Sequence, residues 1–267
     1  MSILAFDIET VPDTELGKRL HDLDDLADEE VAKAMVTKQV QKTGGSDFLP
    51  LHQHRVVAIS VLYRKADKSV RLWSLGSEDS GEQELIRRFF DGIEKMSPVL
   101  VSWNGSGFDL PVLQYRSLRH GINASQYWER GERDNRFRYN NYLSRYHWRH
   151  VDLMDILSGY NLRAAAPLEQ VAMMIGLPGK MGMNGKGVWD KYLEGDIRSI
   201  RNYCETDVLN TYLIFLRWEL VSGGISPQDY ESGCEAVRAM LSGSGQDHLL
   251  EFLEAWKAHA LEESFPS

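Results

Sequence analysis

Cysteine is nearly absent from this chain. Cys204 and Cys234 are the only two in 267 residues. That is too few for a disulfide framework, and they lack the spacing of a thiolate metal site, so both are expected as reduced thiols in a cytoplasmic protein. Long apolar runs are missing as well. The first, Ile3 to Phe6, is shorter than a signal-peptide core, and no stretch reaches the length of a membrane span. Basic charge is not in excess either: 30 Lys and Arg face 39 Asp and Glu, a formal charge of −9. Taken whole, that balance argues against a protein built around a basic nucleic-acid surface. The distribution qualifies the sum. Residues 13–30 and residues 226–267 each hold eight acids against two bases, so the remainder carries +3. Within that remainder, Glu129 to Arg149 has six arginines against three acids.

What the chain does have is ordered. The opening run "LAFDIET" alternates as a strand would, which puts Asp7 and Glu9 on one face and Phe6 and Ile8 on the other. "DLDDLADEEVAKAM" predicts an amphipathic helix, followed by a Gly-Gly loop. "HRVVAISVLYR" and "KSVRLWSL", separated by a short polar turn, predict a hairpin. Leu85, Ile86, Phe89, Phe90 and Ile93 recur at helical spacing, "PVLVSW" predicts a short buried strand, and a helix is expected over residues 110–119. Strands and helices in that order indicate an α/β fold, a mixed central sheet flanked by helices. Residues 121–149 look irregular, and helices are expected to resume near Asp152 and at "PLEQVAMMIG". A long helix follows, N-capped by Asp196 and stopped by Gly223 and Gly224. The division expected is a domain over residues 1–225 and a helical extension, 226–267, packed on it, with no internal repeat.

The carboxylates carry the chemistry. Asp7 and Glu9, held side by side, would repel each other unless a cation lay between them; the plainer alternative is a strand end opening into solvent. Asp109 follows the fourth predicted strand, where it could cap the next helix or join the same site. Tyr203 and Asp207 stand four apart on the long helix and share a face. Four carboxylates can hold two Mg²⁺ or Mn²⁺ ions about 4 Å apart, a pair that stabilises the attacking and leaving oxygens of an in-line displacement at phosphorus.

With "FDIET", "WNGSGFDLPVL" and "YCETDVLNTYL" in that order, and with "HVDLMDIL" and "GLPGKM" between the last two, the sequence resembles the DEDD 3′–5′ exonucleases of the tyrosine subclass. It is most similar to the stand-alone proteins related to the proofreading domain of family B DNA polymerases. The resemblance spans roughly residues 3–222 and implies a ribonuclease H-like exonuclease fold. It further implies that Asp7 bridges two metals, Glu9 and Asp207 complete the nucleophile-side ion, Asp109 holds the other, and Tyr203 orients the attacking water. The implied partner is the 3′ end of a single-stranded nucleic acid, DNA foremost. An RNA or short-oligonucleotide exonuclease, or a non-catalytic nucleic-acid-binding module on the same fold, stays open as an alternative.

Weaker signals surround this set. Thr10, Asn104 and Phe108 are substrate-contact candidates by the resemblance, against plainer roles as turn and core residues. The loop "GLPGKMGMNGKG" fails as a phosphate loop, because Lys186 is followed by Gly187 and no strand precedes it. It could still offer Lys180 or Lys186 to the scissile phosphate. Arg136, Arg138 and Arg145, interleaved with Phe137, Tyr139, Tyr142, Tyr146 and Trp148, could form a single-strand groove or merely cover core aromatics. His150, Asp152 and Asp155 read as capping and structural hydrogen-bonding groups rather than an auxiliary site.

Overall fold

The computed structural model describes residues 2–179, 181, 182, 185 and 187–259. The first strand, β1 (Ile3–Pro12), is followed by α1 (Thr14–His21) and α2 (Asp28–Thr43). The hairpin β2 (His54–Arg64) and β3 (Val70–Ser74) comes next, then α3 (Glu82–Met96), β4 (Val99–Ser102) and α4 (Asp109–His120). After an irregular stretch come β5 (His150–Asp152), α5 (Leu153–Leu157), α6 (Leu168–Met174), α7 (Gly187–Leu193) and the long α8 (Ile197–Val221). The last described elements are α9 (Pro227–Ser242) and α10 (Asp247–His259). The strands form one sheet in the order β3-β2-β1-β4-β5, antiparallel through the hairpin and parallel between β1, β4 and β5. This is the mixed, helix-flanked α/β sheet expected from the sequence. No described helix is long and apolar enough to cross a membrane.

Alternation along β1 decides what lies on each side. Leu4, Phe6 and Ile8 pack with Phe89, Ile93 and Leu113 from α3 and α4. Ile3 and Ala5 face the other way, into a cluster with Val208 and Tyr212 of α8 that continues through Val237 and Phe252 of α9 and α10. Each large side chain buried this way contributes roughly 1.5–3 kcal/mol against exposure, which is ample to hold β1 rigid between the layers.

Several elements differ from expectation. The helix predicted from Asp22 begins only at Asp28, because Asp22 closes α1 in a left-handed conformation with φ of 54°. Residues 14–21 form a helix that the sequence reading missed, capped by Asp13. β5 went unpredicted, since three residues are too few to show periodicity; its pairing with β4 makes it a strand. The long helix does start at the Asp196 cap and stop before Gly223, whose φ is 75°.

One buried ion cluster ties these layers together. Arg116 of α4 bonds to Asp13 after β1 and, through Nε at 2.7 Å, to Glu82 at the start of α3. Glu82 also accepts the Val56 N–H at 2.7 Å. All three charged groups are buried. Arg116→Ala is expected to cost about 3–5 kcal/mol, because it strands buried Asp13 without its guanidinium and leaves Glu82 only His120, at 2.7 Å. Urea denaturation measures this, and neutralising Asp13 and Glu82 in the same chain should recover part of the loss.

Candidate active site

Asp7 and Glu9 sit inside β1, not at a frayed end: the strand pairs with β2 through Pro12. The register shifts between Glu9 and Thr10, leaving Val57 of β2 as the extra residue. Such bulges re-aim neighbouring side chains. Both carboxylates point to the α8 side. There the sequence reading missed a group, Cys204. Its Sγ lies 3.4 Å from the Asp7 carbonyl and 3.5 Å from Asp7 Oδ2, and ligand atoms of Asp7, Glu9 and Cys204 fall within 4.8 Å of one another. The signal was available, since Cys204 is three residues from Asp207 on one helix and shares its face. Burial, then the charges of Asp7 and Glu9, push the thiol pKa well up, so it stays protonated.

Asp109 is not the cap of its helix. Phe108 occupies the cap position of α4 without a side-chain cap, and Asp109 is the first helical residue. Its Oδ1 instead accepts the Ile8 N–H at 3.2 Å across the gap that opens once the β1–β4 pairing ends at Ala5 and Val101. Desolvation raises the buried Asp109 carboxyl to about 7, assisted by Asp152 and opposed by the helix and Ile8 N–H groups. Asp152 fixes the approach: its two oxygens accept from Asn104 N at 2.9 Å and Ser106 N at 2.8 Å. His150 bonds Ser102 at 2.8 Å, and burial lowers it to about 4, so it is neutral. Asp155 is clamped by Arg145 at 2.6 Å. These three residues are structural, as expected.

α8 brings Tyr203 and Asp207 to the same place. The pKa of Asp7 is raised well above the carboxylate range by desolvation, then by Asp109, Glu9 and Asp207, in that order. Burial pushes the Tyr203 phenol far up too, followed by the charges of Asp207, Glu9 and Asp7 and a hydrogen bond to Asp207. Burial and these neighbouring charges favour the protonated phenol, which can donate a hydrogen bond.

Around this core, Thr10 Oγ1 bonds His54 Nδ1 at 2.9 Å. Phe108 packs edge-on to His54 at 5.2 Å and against Phe48 at 5.7 Å. Phe48, 55% exposed, went unnoticed because its loop has no periodicity. Asn104 takes a left-handed φ of 62° and begins the turn that ends at Asp109. Lys180 and Lys186 lie outside the described residues. In the arginine-rich segment Phe137 and Tyr142 are core residues, whereas Tyr139, Tyr146 and Trp148 are exposed, Trp148 stacked on Trp218. Arg136 pairs with Asp134, and Arg145 with Asp155. Two of the three arginines expected to meet phosphate thus already have a carboxylate partner.

Comparison with known families places the chain. A family model described as "Predicted 3'-5' exonuclease related to the exonuclease domain of PolB" matches residues 46–256, most of the chain, and the chain belongs to that family. The matched segment contains Asp109, Tyr203 and Asp207, while Asp7 and Glu9 precede it on the strand that completes its sheet. No curated protein matches the chain.

The carboxyl of Asp109 supplies a test in metal-free protein. Its folded pKa, about 7, lies above the ordinary 3.8, so the native state holds more protons than the unfolded state between those values. Stability conferred by the neutral form is complete below about pH 4 and lost as pH rises through 7. Asp109→Asn keeps the acceptor for Ile8 and removes the titration. In chelator, the variant's melting temperature should overtake the wild type by several degrees between pH 4.5 and 8. A constant gap would mean that Asp109 carries no buried charge.

Proposed function

We propose that this family member is a metal-dependent 3′–5′ exonuclease acting on single-stranded nucleic acid, DNA foremost, with two Mg²⁺ or Mn²⁺ ions. One observation carries the reading: carboxylates from three separate elements, β1, the first turn of α4 and α8, converge on Asp7 beside a protonated phenol. Such a set costs folding energy unless cations occupy it, and hard oxygen donors fit Mg²⁺ or Mn²⁺. The nearby thiol, held protonated, does not make this a soft-metal site.

In this reading Asp7, Glu9 and Asp207 would hold one ion, and Asp7 with Asp109 the other. When bound, the two ions supply positive charge to the attacking and departing oxygens at phosphorus. The protein's own residues do the positioning. With Asp207 turned to a cation, the Tyr203 phenol, which otherwise bonds Asp207, would donate to the attacking water and orient it. Its raised pKa, with burial as the first cause, supports that role and argues against a base. The Thr10 backbone N–H is offered to the terminal 3′ hydroxyl, the Phe108 ring with Phe48 beside it to the terminal base, and the Asn104 amide to the strand's backbone. The buried free thiols Cys204 and Cys234 fit a reducing, cytoplasmic setting.

End-labelled single- and double-stranded DNA and RNA, given with Mg²⁺, with Mn²⁺ or with chelator, test the proposal. Stepwise shortening from the 3′ end of the DNA single strand is expected, and none in chelator. Binding without cleavage of any substrate would make the chain a binding module instead. Asp7→Ala and Asp207→Ala should each abolish hydrolysis. Tyr203→Phe should slow single turnover by roughly one to three orders of magnitude, the range of one positioned hydrogen-bonding group, while Mn²⁺ affinity holds. Cleavage by Tyr203→Phe at the wild-type rate would reduce Tyr203 to a packing residue.

A further inference from the structure

The ladder between β1 and β2 ends on a side-chain contact. Thr10 pairs with Val56 just past the bulge, which puts His54, two residues along, diagonally across from it on the same face. Pro12, directly opposite His54, has no N–H to give the ladder there. Side chains bridge the strands instead, with Thr10 Oγ1 and His54 Nδ1 2.9 Å apart. We propose that His54 is a positioning residue, which holds Thr10 and the Phe108 ring in place for the terminal nucleotide and so gives the site its preference for a free 3′-hydroxyl end. The proposal rests on the exonuclease reading above.

The bonding of the ring fixes its tautomer. His54 Nε2 lies 3.1 Å from the Leu49 carbonyl oxygen, which can only accept, so Nε2 carries the proton. In the neutral ring Nδ1 is then an acceptor, and the Thr10 hydroxyl donates to it. Burial lowers the pKa of His54, which keeps the ring neutral. The one proton of the Thr10 hydroxyl is thereby committed. The side chain is held, and with it the backbone at the point where the β1–β2 register shifts.

The same ring is the hub of the aromatic side chains at the site. It meets Phe108 edge-on at 5.2 Å and Phe48 at 5.3 Å, and those two meet each other at 5.7 Å. Leu49, whose carbonyl takes the Nε2 proton, is itself buried with Val31 and Met35 of α2. His54 thus joins β1, the loop after α2 and the start of α4. Only 9% of it is exposed, so what it contributes passes through Thr10, Phe48 and Phe108. Phenylalanine would fill the same place between the two rings. What the imidazole adds is two directed hydrogen bonds, and one of them ends on the residue whose backbone N–H is offered to the 3′ hydroxyl.

Two single-stranded DNA decamers test this, identical except that one ends in a 3′-hydroxyl and the other in a 2′,3′-dideoxynucleotide. Wild type should favour the hydroxyl end in kcat/KM by roughly 3- to 10-fold, the range of one neutral hydrogen bond. His54→Phe keeps the ring packing and should bring that ratio below about twofold. Thr10→Val removes the same hydrogen bond from the other side; it should lower the ratio equally, and the double variant should be no worse than either. His54→Asn sets an amide oxygen near the place of Nδ1 and should restore most of the preference. A His54→Phe protein that hydrolyses both decamers more slowly but at the wild-type ratio would make His54 a packing residue and overturn the proposal. Should His54→Phe not fold, Thr10→Val decides, and an unchanged ratio there has the same consequence. Nitrogen NMR of histidine-labelled protein reads the ring apart from turnover: at neutral pH His54 is expected with Nε2 protonated and Nδ1 bare, and the reverse would also overturn the proposal. If wild type hydrolyses both decamers equally well, the proposal alone fails. If it hydrolyses neither, the exonuclease reading fails and takes the proposal with it.

Discussion

The hydrogen bond from the Ile8 N–H to Asp109 Oδ1, 3.2 Å long, is the contact on which the rest of the site depends. It spans the point where β1 and β4 stop pairing, and it uses a backbone donor that would otherwise be buried and unsatisfied. A single carboxylate thus serves the sheet and points into the carboxylate cluster. For that to happen the chain after β4 must turn sharply enough to return a helix start to β1. Asp152 holds two N–H groups of this turn, Ser102 and His150 bond beneath it, and a Cβ on Gly105 would meet the Ser102 side chain. The residues of "HVDLMDIL" therefore act on the site through the backbone of the turn.

Gathering carboxylates in a buried place works against folding, and the surroundings show how that cost is carried. Around Asp7, the sheet and α8 supply neutral donors in place of counter-ions. Cys204 donates to Asp7, the Ser60 hydroxyl lies against Cys204, and Ser60 donates to Ser74 at 2.8 Å. Ser74 in turn donates to Glu205 at 2.6 Å, and Glu205 is bonded by His248 of α10 at 2.9 Å. The chain of contacts runs from the middle of β1 to the last described helix. It fixes the rotation of α8 about its axis, which aims Tyr203 and Asp207. α9 and α10 are thus tied into the same polar and apolar network as the site.

How far the sequence could be read follows from the range of the forces involved. Long periodic elements were legible: β2 and α8 fall where alternation and capping put them. The motif residues were legible because their spacing reflects the faces of a strand and a helix. Asp109 was ambiguous, since an N-cap aspartate and a site aspartate look alike until the partner of its oxygen, Ile8, is known. Cys204 and Phe48 escaped notice because their significance lies in cross-chain neighbours, β1 for one and Phe108 for the other. β5 escaped for the same reason. It is a strand only because β4 runs beside it.

The arginine-rich segment shows most clearly why counting charges is not enough. Six arginines in a chain of net charge −9 suggest a basic groove, yet a charge already spent on a neighbour exerts little pull on phosphate. Arg133, Arg136 and Arg145 are paired with carboxylates, and Arg149 lies over Phe137, 4.0 Å from the ring centre, bonded to the Asn140 carbonyl. What remains is Arg130, at a cavity beside α4, and Arg138 beside exposed Tyr139. Screening confines each to about 8 Å at physiological salt, so only a group that reaches that cavity meets the Arg130 guanidinium. The local free cation, not the summed charge of the segment, therefore sets what an incoming anion meets there.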